Sequence, residues 1–295
     1  MFLVYISSLF FINRAASHKA NQIMIADKQQ FILDRAILVL SGQESFDNLP
    51  LDIPGHSERI IEVPWAAQYL HDATNILDIG FAMSSFDWLG LLLAAQARSN
   101  TSLQAADIVK PQRVASRYPE PWRARVLSVP VTIGDIRNCE LPSGHFDLVT
   151  CISTIEHIGF DEASIDDPNS AFKRGKTPAE IAANRDPNTN LDVLDAFHRA
   201  LQTNGRAMIS VPMGSGGATL LKDSLGLYTR QWEYEQESWK ELTSHPGFTV
   251  IEEQFFALGS DDCWQQVTSP ADLVDLSSEL QPHASGCAVL VLQKR

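Results

Sequence analysis

Residues Asn75–Ser85 read Asn-Ile-Leu-Asp-Ile-Gly-Phe-Ala-Met-Ser-Ser, a short apolar run that stops at a carboxylate and a glycine. The run predicts a buried strand, Gly80 a tight turn, and the following serines the start of a helix. This order is typical of an open α/β sheet that binds a nucleotide-like ligand. Because Ala82 stands where a dinucleotide fingerprint has its second glycine, a ligand without a pyrophosphate is favoured.

The composition is that of an acidic globular protein. The chain has 295 residues, a net charge of -13 and 44% hydrophobic residues, enough to build a sizeable core. It contains no dense run of Lys or Arg that could follow a phosphate backbone, so we expect no nucleic-acid partner. The cysteines form no Cys-x-x-Cys pair and the histidines no His-Glu-x-x-His motif. We therefore expect reduced core thiols and no metal site.

The first twelve residues are almost wholly apolar, but they are fewer than the roughly 20 needed to span a bilayer. A secretory signal has a basic stretch before its apolar core, whereas the first basic residue here, Arg14, follows the run. Three interpretations stay open for residues 1–20: an apolar helix packed on the domain, a weak signal, or sequence upstream of the true start. We favour the first or the third, and expect no stable membrane span and a cytoplasmic protein.

Residues 21–295 show no internal repeat or low-complexity linker and predict a single domain. Helical spacing within 22–43 predicts N-terminal helices in the segment 21–72 that precedes the first strand. Strand and helix patterns then alternate. The predicted strands are 75–79, 103–107, 125–133, 146–152, 206–211, 248–256 and 287–293. The predicted helices are 88–97, with a capping box from Ser84 to Asp87, 191–201, with a stop at Asn204-Gly205, and 235–243.

The alternation predicts a doubly wound, mostly parallel Rossmann-like sheet of about seven strands with helices on both faces. The two late strands have no clear helix between them, so we expect an antiparallel strand at the sheet edge. In such sheets the ligand lies over the carboxyl ends of the strands. That rule places four polar residues around one crevice: Asp78, Asp107, Asp135 and Ser153.

The order and spacing of five motifs resemble those of class I S-adenosylmethionine-dependent methyltransferases, over about Asn75–Met213. The motifs are Ile76–Gly80, Asp107, Gly134–Ile136, Phe146–His157 and Ala200–Arg206. A second pattern resembles that of uncharacterised methyltransferases associated with polysaccharide biosynthesis; it consists of His157–Gly159, Asp186-Pro187, Leu191-Asp192, Gly247-Phe248 and Trp264-Gln265. The resemblance implies S-adenosyl-L-methionine as the cofactor and methyl transfer as the activity.

The resemblance also implies where the nucleoside would bind. Asp107 would accept hydrogen bonds from the ribose hydroxyls, which suits a carboxylate because each charge-assisted bond contributes about 1.5–3 kcal/mol. Asp135 would accept from the adenine amino group, and Ile136 would pack on the ring. Taken singly, either aspartate is also an ordinary turn residue at a strand end.

The methionine part of the cofactor would lie over the first turn. By the same resemblance, Gly80 and Phe81 would let the backbone pass close to it, and Asp78 would orient the turn or the cofactor's amino group. Cys151 and Ile152 would line the floor of the site.

Methyl transfer needs alignment, exclusion of water and, for a hydroxyl acceptor, removal of a proton. His157 is the leading candidate for the base because of its position and its near-neutral pKa. Glu156 is the second catalytic candidate, with Tyr228 and His245 behind it. The alternative is that Glu156-His157 simply caps the following segment.

Acceptor recognition should lie outside the common core. The candidates are Glu58–Trp65, an insertion at 159–190 and the glycines of Gly214–Gly217. The insertion is either a lid or a solvated loop. We expect a small-molecule acceptor, first a sugar or glycan precursor methylated on a hydroxyl. The alternatives are a non-catalytic S-adenosylmethionine-binding pseudoenzyme, because Ala82 narrows the turn, and an NAD(P)-dependent oxidoreductase, disfavoured by the missing glycines.

Overall fold

The computed structural model describes residues 26–98, 100–118, 120, 122–160, 172–173, 177, 185–223 and 226–295. The apolar N-terminal segment and most of the 159–190 insertion lie outside these residues. The helices are α1 (26–40), α2 (Arg59–Leu70), α3 (Phe86–Gln96), α4 (Trp122–Ser128), α5 (Thr189–Ala200) and α6 (Gln236–Thr243). The strands are β1 (Asn75–Ile79), β2 (Ser102–Asp107), β3 (Val131–Ile133), β4 (Phe146–Ile152), β5 (Phe172–Lys173), β6 (Leu201–Pro212), β7 (Gly217–Lys222), β8 (Tyr228–Glu233), β9 (Phe248–Leu258), β10 (Trp264–Val267) and β11 (Gly286–Lys294).

The central sheet of the described residues has eight strands in the order β3-β2-β1-β4-β6-β11-β9-β10. The five strands from β3 to β6 are parallel, as predicted. The prediction of about seven strands is corrected to eight. The additional strand, β10, pairs antiparallel with β9 across the tight turn in which the Gly259 N–H donates to the Cys263 carbonyl. Four residues are too few for a clear alternating pattern.

The two late strands, β9 and β11, pair antiparallel as expected, but they do not form the edge. β11 lies between β6 and β9 and is antiparallel to both, and β10 is the edge strand. Residues 286–292 are all buried. A continuous apolar run of this kind suits a strand that is covered on both faces.

Three local predictions are wrong. The segment 125–133 is not one strand, because α4 ends at Ser128 and β3 begins only after Pro130. The Ser84–Asp87 capping box does not form, since the Ser84 hydroxyl donates to the Gly80 carbonyl (3.0 Å) and Ser85 is the N-cap of α3. Residues Asn204-Gly205 lie inside β6, which follows α5 directly, where its pairing with β4 shifts register.

Helices cover both faces of the sheet, as predicted. Helices α1 to α4 pack on one face against alternate strand residues such as Ile76, Leu148 and Met208. Helices α5 and α6 pack on the other face against the residues between them, including Leu77, Val149 and Ala207. Trp65 and Trp239 are buried, one in each layer.

A second sheet of three strands, β5-β8-β7, lies at the carboxyl end of β6. Residues Gly214–Gly217 connect β6 to β7, and the Gly214 N–H donates to the Tyr234 carbonyl (2.8 Å). Strand β8 contacts the 3-10 helix Ile155–His157 that follows β4. The small sheet therefore stands beside the carboxyl ends of the central strands.

None of the described helices has the length and apolar content required to cross a membrane. All four cysteines are free thiols. Cys151 and Cys287 are buried, as predicted for core residues, whereas Cys139 and Cys263 are partly exposed.

Candidate functional site

The site lies at the carboxyl ends of β1 and β4, where the strand order reverses. From β1 the chain continues to β2 and β3 on one side and then returns to β4 on the other side of β1. Such a reversal opens a crevice between the loops that follow the two central strands. Here those loops are the 3-10 helices Phe81–Met83 and Ile155–His157.

Gly80 brings these two loops into contact. It adopts a left-handed conformation (φ +86°), and a Cβ built on it would lie 2.5 Å from the Oγ1 and Cγ2 atoms of Thr154. The next turn does not require a glycine, because Ala82 has no positive φ. The Ala82 carbonyl instead accepts from the Tyr118 hydroxyl (2.9 Å). The alanine is therefore accommodated in the turn without strain.

Asp107 holds the first loop through its side chain. Its Oδ2 accepts from the Ala82 N–H and its Oδ1 from the Val109 N–H, both at 2.7 Å. The residue is 7% exposed. Burial raises its pKa to about 6, opposed by these backbone donors. Asp107 thus lies at the predicted edge of the crevice with each oxygen already bonded to backbone.

Asp135 is also paired. The Arg137 guanidinium donates to its carboxylate at 2.7–3.1 Å and reaches Asp186 at 2.8 Å with its other end. Burial acts to raise the pKa of Asp135, but the Arg137 bonds outweigh it and the pKa is lowered. Ile136, the next residue, is buried at 4% exposure. We call Asp107 and Asp135 the outer acidic pair.

The structure brings four further carboxyl groups into the interior of the crevice. They form the buried acidic cluster: Glu62 of α2, Asp78 of β1, Asp87 of α3 and Glu156 after β4, each at most 1% exposed. Arg59 acts on all four electrostatically and is ion-paired with Glu62 (3.1 Å). Glu62 also accepts from the Ser210 hydroxyl (2.6 Å).

Apart from the Glu62 oxygen that is ion-paired with Arg59, four oxygens of this cluster have no hydrogen-bond partner: one on Asp78, one on Asp87 and both on Glu156. The other Asp78 oxygen accepts from the Trp88 indole N–H (3.1 Å) and from the Thr150 hydroxyl (2.7 Å). The other Asp87 oxygen accepts from the Trp88 backbone N–H (2.9 Å). Unpartnered buried carboxylate oxygens are costly in a protein interior, so they call for a ligand.

Burial shifts the acid–base behaviour of the cluster. It raises the pKa of Asp78 and of Glu62 to about 7 and that of Glu156 to about 8, and it raises the pKa of Asp87. The Arg59 guanidinium opposes each of these shifts. A single arginine therefore compensates only part of the negative charge that the cluster can carry.

His157 lies beside the cluster with a defined tautomer. Its Nδ1 is 2.7 Å from the Arg230 carbonyl, which can only accept, so Nδ1 carries the hydrogen and Nε2 has a free lone pair. Nε2 is 3.8 Å from Glu156 Oε1, and the side chain is 33% exposed. Burial, reinforced by the nearby arginines Arg59 and Arg185, lowers the pKa of His157 to about 4.

The other predicted site residues are placed differently. His245 bonds to Asp195 of α5 (3.1 Å), at the amino end of β9 and away from the crevice. Tyr228 begins β8 and pairs with Lys222. Cys151 and Ile152 are buried within the two core layers on opposite faces of the sheet.

Three residues of the crevice were not predicted as site residues from sequence: Arg59, Glu62 and Asp87. Residues Arg59 and Glu62 lie in the segment proposed for acceptor recognition, and they are spaced three apart in an otherwise apolar helix. That spacing places them on one face, which is the signal that could have identified them. No group of three or more potential metal ligands among the described residues is arranged to hold a metal ion.

No family model matches the chain, and no curated protein matches it. Among solved structures, a SAM-dependent methyltransferase from Methanosarcina mazei aligns with a TM-score of 0.47 at 12% identity, covering 78% of this chain and 97% of that chain. The 1,6-didemethyltoxoflavin-N1-methyltransferase of Burkholderia thailandensis, crystallised with S-adenosylhomocysteine, aligns with a TM-score of 0.41 at 16% identity, covering 94% and 89%. An S-adenosylmethionine-dependent methyltransferase from Clostridium acetobutylicum gives 0.41 at 12% identity, covering 75% and 83%.

Proposed function

We propose that this chain is an S-adenosyl-L-methionine-dependent methyltransferase acting on a small molecule. The observation that carries the proposal is the set of four unpartnered carboxylate oxygens on Asp78, Asp87 and Glu156, buried at the strand reversal. A cofactor with a sulfonium and an ammonium group supplies the positive charge that these oxygens lack. A buried carboxylate is stable when it is paired in this way.

The same cluster disfavours an NAD(P)-dependent oxidoreductase. A dinucleotide places its pyrophosphate at the N-terminus of the helix after the first strand, where free N–H groups and the helix dipole attract it. In this chain the Asp87 carboxylate occupies the first turn of α3 and accepts from the Trp88 N–H. An anionic pyrophosphate would face several carboxyl groups and a single arginine.

The residues in the crevice fit the parts of the proposed cofactor. Over the Gly80 turn, Arg59 would bind the carboxylate of the cofactor, and Asp78 would bind its ammonium group. Asp107 has further lone pairs for the ribose hydroxyls beyond those used by backbone donors, since a carboxylate accepts up to about four hydrogen bonds. When bound, the cofactor supplies a methyl group already activated by the positive sulfur.

On the outer side we propose Asp135 and Ile136 for the adenine, with Cys151 and Ile152 forming the floor beneath the crevice. Phe81 is fully buried, so its contribution would come from its backbone.

For catalysis we propose His157 as the base. Its Nε2 has a free lone pair 3.8 Å from Glu156 Oε1, and its ring is fixed by the Arg230 carbonyl. A neutral imidazole at this point can take the proton of a hydroxyl as the methyl group is transferred. Its lowered pKa keeps it neutral at physiological pH.

For the acceptor we propose a sugar or another hydroxyl-bearing small molecule. The support is the partly exposed side chain of Trp232 on β8, the strand that contacts the 3-10 helix of His157; the Arg185 guanidinium lies 5.6 Å from the ring centroid of Trp232. Aromatic faces are common in binding sites that also use a few polar groups for orientation.

Calorimetric titration tests the cofactor class. We expect S-adenosylmethionine and S-adenosylhomocysteine to bind the purified chain and NAD not to bind. Asp78→Asn should weaken S-adenosylmethionine binding by roughly tenfold or more, because it removes half of a charge pair. Binding of NAD without S-adenosylmethionine would overturn the proposal.

A transfer assay with radiolabelled methyl donor and a panel of sugars tests catalysis. His157→Ala should lower the turnover of the accepted substrate by about a hundredfold or more while leaving cofactor affinity unchanged. Cofactor binding with no transfer to any acceptor class would favour the non-catalytic alternative.

A further inference from the structure

Glu156 is a carboxyl group that the fold satisfies poorly. It is fully buried, and neither oxygen has a hydrogen-bond partner of normal geometry, although its own N–H and the Ser153 hydroxyl lie close enough to lower its pKa. The titratable groups that face it come from every neighbouring element: Arg59 and Glu62 of α2, Cys151 of β4, His157, Tyr234 and Cys287 of β11. Among these, the guanidinium of Arg59 is already paired with Glu62.

An ionised Glu156 in this position would be an unpaired buried charge next to a second carboxylate. Both burial and a like charge favour the protonated form. The pKa of Glu156 is accordingly raised to about 8, chiefly by burial, with the charge of Glu62 adding to it. In the ligand-free protein at neutral pH, Glu156 therefore carries a proton.

We propose that Glu156 gives up this proton to solvent when the cationic cofactor binds, so that the crevice exchanges one positive charge for another. The inference rests on the proposed function and extends it, because it assigns Glu156 the recognition of the sulfonium charge. S-adenosylhomocysteine has the same amino acid and nucleoside but a neutral sulfur. It leaves the proton in place.

His157 provides the route for the proton. Its Nε2 lone pair is 3.8 Å from Glu156 Oε1, and one third of its side chain is exposed to solvent. Because the Nδ1–H is held by the Arg230 carbonyl, Nε2 is the nitrogen that receives and releases the proton. The low pKa of His157 means that it passes the proton on rather than retaining it.

This exchange would help the protein distinguish substrate cofactor from product. Affinity for S-adenosylmethionine should rise with pH up to about 8, where Glu156 ionises by itself, whereas affinity for S-adenosylhomocysteine should not depend on this group. On this proposal Glu156 is a specificity-determining residue that recognises the positive charge of the sulfur.

The test is calorimetric titration at pH 7 in phosphate and in Tris, two buffers with different enthalpies of protonation. The dependence of the observed heat on buffer gives the number of protons released. With the natural chain, we expect binding of S-adenosylmethionine to release about one proton more than binding of S-adenosylhomocysteine. With Glu156→Gln, the difference between the two ligands should be close to zero. Glu237→Gln, at an exposed position in α6, is the matched control and should behave like the natural chain.

The possible outcomes separate the two proposals. If both ligands bind with equal proton release, or if Glu156→Gln still releases the extra proton, the role of Glu156 is wrong and the methyltransferase proposal stands. If neither ligand binds the natural chain, the proposed function fails and this inference fails with it. Circular dichroism of the Glu156→Gln variant tests whether it is folded. Should it not fold, the pH dependence of the two affinities in the natural chain decides the question.

Discussion

The crevice has two sets of acidic groups at the same end of the same sheet, and they differ in how their oxygens are used. The outer pair, Asp107 and Asp135, is bonded to backbone N–H groups and to Arg137. The buried acidic cluster leaves oxygens of Asp78 and Glu156 without partners. One set is satisfied by the folded chain itself, and the other is not.

This difference indicates two kinds of contribution to binding. The outer carboxylates fix the shape of the loops before any ligand arrives, so their loss should be visible in the ligand-free protein. The inner carboxyl groups are held at a cost to the fold, which a cationic ligand would offset. Stability measurements on the ligand-free chain and affinity measurements on its complexes should therefore respond to different residues.

The largest expected effect is the pH dependence of stability in the inner cluster. Asp78, Glu62 and Glu156 have folded pKa values of about 7, 7 and 8, above those of an unfolded chain. They bind more protons when folded, so their contribution is complete near pH 4 and is lost as the pH rises through 7 and 8. The free energy of unfolding, measured with urea, should fall by several kcal/mol between pH 5 and pH 8.

Glu156→Gln should make this fall distinctly shallower, because one of the titrating groups is gone. Glu237→Gln should leave the slope unchanged, since it lies outside the cluster. A ligand-free protein whose stability is constant from pH 5 to pH 8 would show that the inner carboxyl groups are not protonated, and the contrast with the outer pair would disappear.

Gly80 joins the two sides of the crevice and gives the next largest effect. In Gly80→Ala the new Cβ would lie 2.5 Å from Thr154 side-chain atoms, at a positive φ. We expect a loss of about 3 kcal/mol in the free energy of unfolding. Gly144→Ala is the matched control, because Gly144 also has a positive φ (+62°) but no atom within 4 Å of the new Cβ. It should lose only about 1 kcal/mol.

The double variant Gly80→Ala with Thr154→Ala separates steric conflict from backbone strain. Removing the Thr154 side chain should recover a large part of the loss. Equal losses in Gly80→Ala and Gly144→Ala would mean that the two loops do not touch as described.

Asp107 tests the outer pair directly. Asp107→Ala removes the acceptor of the Ala82 and Val109 N–H groups and should lower the free energy of unfolding by about 2 kcal/mol, because buried donors are left unsatisfied. The same change should weaken S-adenosylmethionine binding by roughly tenfold or more. Asp107→Asn retains one acceptor oxygen and should have an intermediate effect. If neither change alters the free energy of unfolding of the ligand-free protein, Asp107 contributes to ligand binding alone.

Much of this architecture is predictable from sequence because it follows from local pattern. Strand β4 was predicted with the observed bounds, and the strand-end rule predicted Asp78, Asp107, Asp135 and Ser153 around one crevice. What pattern cannot give is a four-residue strand such as β10, which is too short for a clear alternation. It also cannot give the continuation of β6 through Asn204-Gly205, which depends on pairing with the distant strand β4.

The division between satisfied and unsatisfied carboxyl groups was also not predictable. It depends on contacts such as Arg137 with Asp186, 49 residues apart, and Ser210 with Glu62, 148 residues apart. Arg59 and Glu62 lie in a helix, where charged residues usually face solvent. Their spacing of three places both on one face of α2, but only the folded structure shows that this face is directed into the crevice.

Asp135 should give the smallest effect on stability and thereby sharpen the comparison within the outer pair. Its side chain is 34% exposed, and Arg137 retains Asp186 as a partner when Asp135 is replaced. We expect Asp135→Ala to lower the free energy of unfolding by less than about 1 kcal/mol, as for a partly exposed ion pair. If Asp135 binds the adenine amino group, the affinity for S-adenosylmethionine should nevertheless fall by roughly tenfold.

Asp186→Ala is the control that decides between a direct and an indirect role. It removes the other partner of Arg137 and should leave cofactor affinity unchanged, because Asp186 pairs with Arg137 and is not one of the residues proposed to bind the adenine. If both variants weaken binding equally, the position of Arg137 is what matters, and Asp135 acts through it. A loss in Asp135→Ala alone would place the carboxylate itself against the ligand, which would make Asp135 a binding group whose contribution to the fold is small.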